Sequence, residues 1–227
     1  SVKDYLYTLD IYEDGYAGPP ISLIGASSPF FTEEEKKEDI FMPIRQHTGN
    51  ITLIADENTD SLIPADNYAH YVTLDSGGAI LWQGFMTPQS FSQPWDAKPY
   101  EIDFQVQSPL SLLSSQQMDM RKGLGSISLR DLIIEAFTEC GISDLYDTFS
   151  IDNYMTSTVI ITLLAFKVSR FNWFEENKTE DDGTGEWKKF IGKSYYTMMK
   201  DILSFLGLTM RERGKTIYLK AIDSWTY

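Results

Sequence analysis

From Tyr100 to Gln107 the chain alternates without a break, with Tyr100, Ile102, Phe104 and Val106 on one side and Glu101, Asp103, Gln105 and Gln107 on the other. A period of two is the pattern of a strand with one dry and one wet face. Tyr5, Tyr7, Leu9 and Ile11 repeat it and predict an opening strand that stops at the turn residues Glu13, Asp14 and Gly15. Strands are also predicted at 50–55, 70–74 and 79–84. Between the last two, Gly77 and Gly78 supply a tight turn, because glycine takes positive φ without a Cβ clash. Pro88, Pro94 and Pro99 lack the donor that a ladder needs, so they mark a loop before Tyr100. The strand beginning at Tyr100 is expected to run on toward Leu110–Leu113. The stretch from Ala79 to Leu113 is thus the centre to which the rest attaches. Gly18, Pro19, Pro20, Ser27, Ser28 and Pro29 read as breaks, and the charge run from Glu33 to Asp39 reads as a solvated spacer.

Beyond Leu113 the period changes. Ser128 with Asp131 three residues on is a helix start, and Leu129, Leu132, Ile133, Ala136, Phe137 and Cys140 recur at helical spacing up to Gly141. This predicts a helix over Leu129–Glu139. Ser194, the stripe of Tyr195, Met198, Met199, Ile202, Phe205 and Leu206, and the stop at Gly207 predict a second. Val159 to Phe166 suits a strand buried on both faces. Residues 175–185 read as a mobile acidic loop, and Leu208–Arg213 and Lys215–Ile222 read as a terminal hairpin about Gly214. The fold class is therefore α+β. An antiparallel β-barrel-like domain over 1–115 precedes a smaller α+β region over 116–227, with two amphipathic helices and a C-terminal hairpin; the two pack as one body or as two.

Charge narrows the function classes. With 33 acidic and 19 basic residues the net charge is −14, which repels phosphate backbones and anionic lipid and disfavours sequence-specific nucleic-acid binding. An acidic wall still suits a passage through which DNA slides. The longest apolar run, Val159 to Ala165, falls far short of the roughly 20 residues that span a bilayer, so no membrane insertion is expected. Ser1 is not a methionine and no charged-then-apolar leader precedes Asp4, which fits either a processed terminus or a cut end.

No motif for chemistry emerges. His47 and His70 have no second histidine or cysteine at ligand spacing, so no metal is expected, and His70 reads as a packing or edge residue. Cys140 is the only cysteine and sits on an apolar stripe, which argues for burial over nucleophilic duty. There is no G-x-S-x-G, and Gly123-Leu124-Gly125 lacks the rest of a phosphate-binding loop. No catalytic residue and no cofactor is expected. Among the five tryptophans, Trp95 and Trp187 fall in predicted loops and are the interface candidates.

Element order and a few short phrases carry a family resemblance. A β-domain ends in Trp82-Gln83-Gly84, and an extended strand leads to Leu110–Leu113. After the helix capped at Ser128 come the Phe171–Phe174 loop, Tyr195 to Leu203 with Gly207, and the Gly214 hairpin with Ile217 to Leu219. This order, from about Ile40 onward, resembles phage and prophage tail proteins of the baseplate hub or tail-tip family. The resemblance implies a structural protein of the virion tail, assembled in the bacterial cytoplasm. It also implies self-association as a ring, commonly a trimer, with other tail proteins as partners and without catalysis. Hub proteins of this kind are longer, so the chain reads as a fragment or a shortened relative. The alternative is a secreted or cell-surface carbohydrate-binding module.

Overall fold

The computed structural model describes residues 7–13, 15–34, 42–62, 69–87, 99–119, 125–152, 165, 167–178 and 188–221. Contacts divide the chain into two compact units, one of 1–38, 45–109 and 212–215, the other of 39–44, 110–211 and 216–227.

In chain order the first strands are β1 (Tyr7–Glu13), β2 (Gly25–Glu34), a two-residue β3 (Ile44–Arg45) that joins a different sheet, β4 (His47–Ile54), β5 (His70–Ser76), β6 (Ala79–Met86) and β7 (Glu101–Gln107). All but β3 form one six-stranded sheet in the order β1-β5-β6-β7-β4-β2, with every pairing antiparallel. Register sets its dry face. Ile51 stands opposite Phe104, Leu53 opposite Ile102, Leu9 opposite Leu74 and Ile11 opposite Val72. These residues pack with Trp82, Met86 and Val106 into one core, which removes apolar surface from water at about 25 cal/mol per Å².

Leu9 and Ile11 from one end of the strand order and Phe30 from the other all pack against that core, and the Phe30 ring meets Trp82 edge-on at 5.2 Å. The sheet is therefore strongly curled. It is not a closed barrel: among the described residues no ladder joins β1 to β2. Closure requires a continuous staggered ladder between the first and last strands. The ladder of β2 instead shifts register between Gly25 and Phe30, a stretch that contains Pro29.

Several expectations are corrected here. The breaks read at Ser27, Ser28 and Pro29 and the first two residues of the Glu33–Asp39 spacer fall within strand β2, whose ladder to β4 pairs Gly25, shifts register across Ser27–Pro29 and resumes from Phe30 to Glu34, while the rest of the spacer lies outside the described residues. Leu110–Leu113 is not extended but lies in a 3-10 helix, Pro109–Ser114, with all four of these residues buried.

In the second unit, β8 (Ser126–Ser128) leads into helix α1 (Leu129–Glu139), and β9 (Thr148–Asp152) follows. Next come β10 (Lys167–Ser169), β11 (Phe174–Lys178), β12 (Lys188–Gly192), helix α2 (Tyr195–Leu206), β13 (Leu208–Arg213) and β14 (Thr216–Ala221). Strand β10 pairs β8 and β11 pairs β12, both antiparallel. The start of the segment read as a mobile loop, 175–178, is thus a strand; the rest of that loop lies outside the described residues, as does the predicted strand at 159–166 apart from Ala165. A four-stranded sheet runs β3-β13-β14-β9, with β9 parallel to β14.

Both helices have the caps their sequences predict. Ser128 Oγ accepts from the Asp131 backbone N–H at 3.0 Å, and Ser194 Oγ accepts from that of Thr197 at 3.2 Å. Gly207 ends α2 at φ 63°, the left-handed conformation that glycine reaches most readily. Tyr195 Oη donates to Glu135 on α1 at 3.3 Å, Arg170 is ion-paired with the same carboxylate, and Trp173 Nε1 donates to Asp201 on α2 at 3.2 Å. The helices are thereby joined by polar contacts as well as by their apolar stripes.

Candidate assembly surface

The two end strands of the six-stranded sheet differ as edges. All seven residues of β1 pair with β5 in unbroken register from Tyr7↔Ser76 to Glu13↔His70. Among the described residues no strand pairs with the far side of β1. A regular, unpaired edge is a template for a strand from another chain. The opposite edge, β2, carries the register break and Pro29, which has no N–H to offer. Of the two, β1 is the better docking edge.

Aromatic residues flank it. Tyr7 is 56% exposed and Tyr12 53%. Tyr12 lies opposite Tyr71, which lies opposite Phe85 on β6, and the ring centroids are 6.0 Å and 5.4 Å apart in turn. Tyr71 Oη donates to Gln83 Oε1 at 2.5 Å. Burial, reinforced by Tyr12 and Glu212, pushes the Tyr71 phenol up to about 12, so it remains a donor at neutral pH. Cross-strand aromatic pairs of this kind stiffen a sheet face.

Two recesses open on the same unit. One, of about 270 Å³, is lined by Thr32, His47, Trp82, Gln83, Glu212 and Gly214. There His47 Nδ1 lies 3.5 Å from Glu212 Oε1. A histidine–carboxylate pair serves catalysis when the other ring nitrogen reaches a nucleophile or substrate proton. Among the described residues the side-chain hydrogen bond of His47 is to Glu212, and the pair ties the turn at 212–215 to β4. The other recess, of about 340 Å³, is a groove on the wet face lined by residues of β2, β4 and β7 together with Thr87.

His70, read as a packing or edge residue, is 3% exposed on β5, and its ring nitrogens have no hydrogen-bond partner among the described residues. Burial lowers its pKa below 6.5, against the opposing pull of Glu13 across the β1–β5 pair. Cys140 is buried as its place on the stripe implied, and burial with Glu139 nearby pushes its thiol up to about 12. Trp95 and Trp187, the interface candidates, lie outside the described residues. The β1 edge had no signal of its own in the sequence, because alternation reveals a strand and not its neighbours. Among the described residues no group of three or more His, Cys, Asp or Glu is placed to hold a metal, and no helix is long and apolar enough to cross a membrane.

No protein-family model matches the chain, and no curated protein does. Among the solved structures similar to it are three tail proteins. The 43 kDa tail protein of prophage MuSo2 from Shewanella oneidensis is 10% identical, with a TM-score of 0.49 over 94% of this chain and 55% of that one. The prophage tail protein gp18 from Listeria monocytogenes EGD-e is 9% identical, with a TM-score of 0.49 over 96% of this chain and 52% of that one. The tail protein from Neisseria meningitidis MC58 is 9% identical, with a TM-score of 0.45 over 94% and 50%. The chain spans about half the length of each.

Proposed function

We propose that this chain is a structural component of a phage or prophage-like tail, at the baseplate hub or tail tip, and that it acts by subunit assembly and not by catalysis. The resemblance in sequence supplies the class. The observation that carries the assembly reading is the unbroken seven-residue edge of β1, bordered by exposed Tyr7 and Tyr12. A neighbouring strand laid along it extends the ladder, and repeating that contact head to tail closes a ring. A trimer is the number the resemblance implies. The other partners are further tail proteins, and the place of action is the virion tail after assembly in the bacterial cytoplasm.

Light scattering over a concentration series tests this on the full chain. A closed oligomer is expected. Tyr7→Lys puts a charge at the edge, the device by which natural sheets block such pairing, and is expected to return the chain to a monomer with an unchanged melting temperature. A monomer at every concentration, or an oligomer indifferent to Tyr7→Lys, overturns the β1-edge mechanism.

A further inference from the structure

The wet-face groove of about 340 Å³ has a composition unlike that of an assembly edge. Register lays its residues in two transverse rows. Phe31, Asn50 and Gln105 stand side by side on β2, β4 and β7, and two residues along, Glu33, Thr48 and Gln107 do the same. Adjacent strands lie about 4.8 Å apart, so each row offers a side chain at every strand step. Phe31 is 56% exposed, Asn50 and Gln105 are exposed and Gln107 is half-buried. The groove is lined by no lysine or arginine.

Each of these features selects against a class of ligand. Without a cation in the groove, and with a net charge of −14, nucleic acid and polyanionic glycans are repelled. A protein partner buries an apolar centre, whereas this groove presents one exposed ring among amides, hydroxyls and the Glu33 carboxylate. Each amide is at once a donor of two hydrogen bonds and an acceptor. Side-chain amides at regular spacing therefore match a ligand bearing neutral donor–acceptor groups along its length. An exposed ring at one end stacks against an apolar face. A neutral oligosaccharide has both properties, vicinal hydroxyls on its edges and C–H groups on the faces of its rings.

We propose that this groove binds a neutral oligosaccharide, with Phe31 stacking on one sugar ring and Asn50, Gln105 and Gln107 bonding to hydroxyls of the next. The site is independent of the β1 edge and of the assembly reading.

Calorimetric titration of the full chain with cellotetraose, maltotetraose, xylotetraose, mannotetraose and chitotetraose tests this, with a heparin tetrasaccharide as the anionic control. Saturable binding of at least one neutral tetrasaccharide is expected. Asn50→Ala and Gln105→Ala are each expected to weaken it about tenfold, the loss of one hydrogen bond to a desolvated hydroxyl. Phe31→Ala is expected to abolish it. All three positions are exposed, and unchanged melting temperatures confirm that the variants are folded. Heat from none of the neutral probes, preference for heparin, or binding indifferent to the three substitutions overturns the proposal. So does a result in which the substitutions change only the mass of the assembly, since the groove is then a contact between copies.

Discussion

His70 shows how a core position turns into a dependence on pH. It is buried on the dry side of β5, its ring nitrogens have no hydrogen-bond partner among the described residues, and its pKa is lowered by burial. The folded state therefore holds the neutral ring, while the unfolded chain protonates it below about 6.5. Below that pH the unfolded state binds more protons, so stability is lost as the solution is acidified. Chemical denaturation at pH 7 and pH 5 is expected to show a drop in the wild type that His70→Leu lessens. Tyr71 and Cys140, both pushed up to about 12, and Tyr195, raised further by burial beside Glu135, act at the other end. They keep their protons in the folded state where the unfolded chain gives them up. Stability therefore falls again as pH rises above about 9. In the same experiments Cys140 is expected to stay inert to a disulfide reagent at pH 8 until the protein unfolds.

At the scale of the element, the sharpest constraint is where β6 passes β7. Only Phe85↔Gln107 and Met86↔Val106 pair there, and a Cβ added at Gly84 would overlap both the Trp82 ring and the Gln107 carbonyl oxygen. Gly84→Ala is expected to cost about 2 kcal/mol, in line with overpacking of a tight core, measurable as a lowered denaturation midpoint with an unchanged slope. Helices and sheet differed in how openly the sequence stated them. Both helices were legible to the residue, since Ser128, Ser194 and Gly207 are local signals that fix their own ends. Strand β7 was legible from strict alternation. Strand β2 was not, because the turn chemistry of Ser27, Ser28 and Pro29 conceals a strand whose ladder to β4 shifts register there and resumes only at Phe30. The groove was half legible for the same reason. Alternation already put Gln105 and Gln107 on a wet face, but nothing local brings Phe31 beside Asn50. The 3-10 turn at Pro109–Ser114 was read as strand because a short apolar run is ambiguous without its partners.

At the scale of the whole molecule, charge and shape oppose each other. A net charge of −14 on every copy resists association, while a regular edge that no strand covers among the described residues invites it. Salt weakens only the first, since the screening length falls from about 30 Å at 0.01 M to about 10 Å at 0.1 M. Raising ionic strength across that range is expected to move the onset of self-association to lower protein concentration, and light scattering at the two salt concentrations checks it. The sheet of the second unit carries a constraint of another kind. In sequence β14 follows every other strand of its sheet, yet in space it stands between β13 and β9. During synthesis β9 therefore emerges long before the strand that will hold it, and β13 has only two-residue β3 beside it until β14 arrives. Pairings this distant in sequence form slowly, and strand edges left waiting are open to wrong partners. The helices close on their own local signals, whereas this sheet is finished only by its last-made strand, so the birth of the unit, more than its mature form, is the stage at which a crowded cell can spoil it.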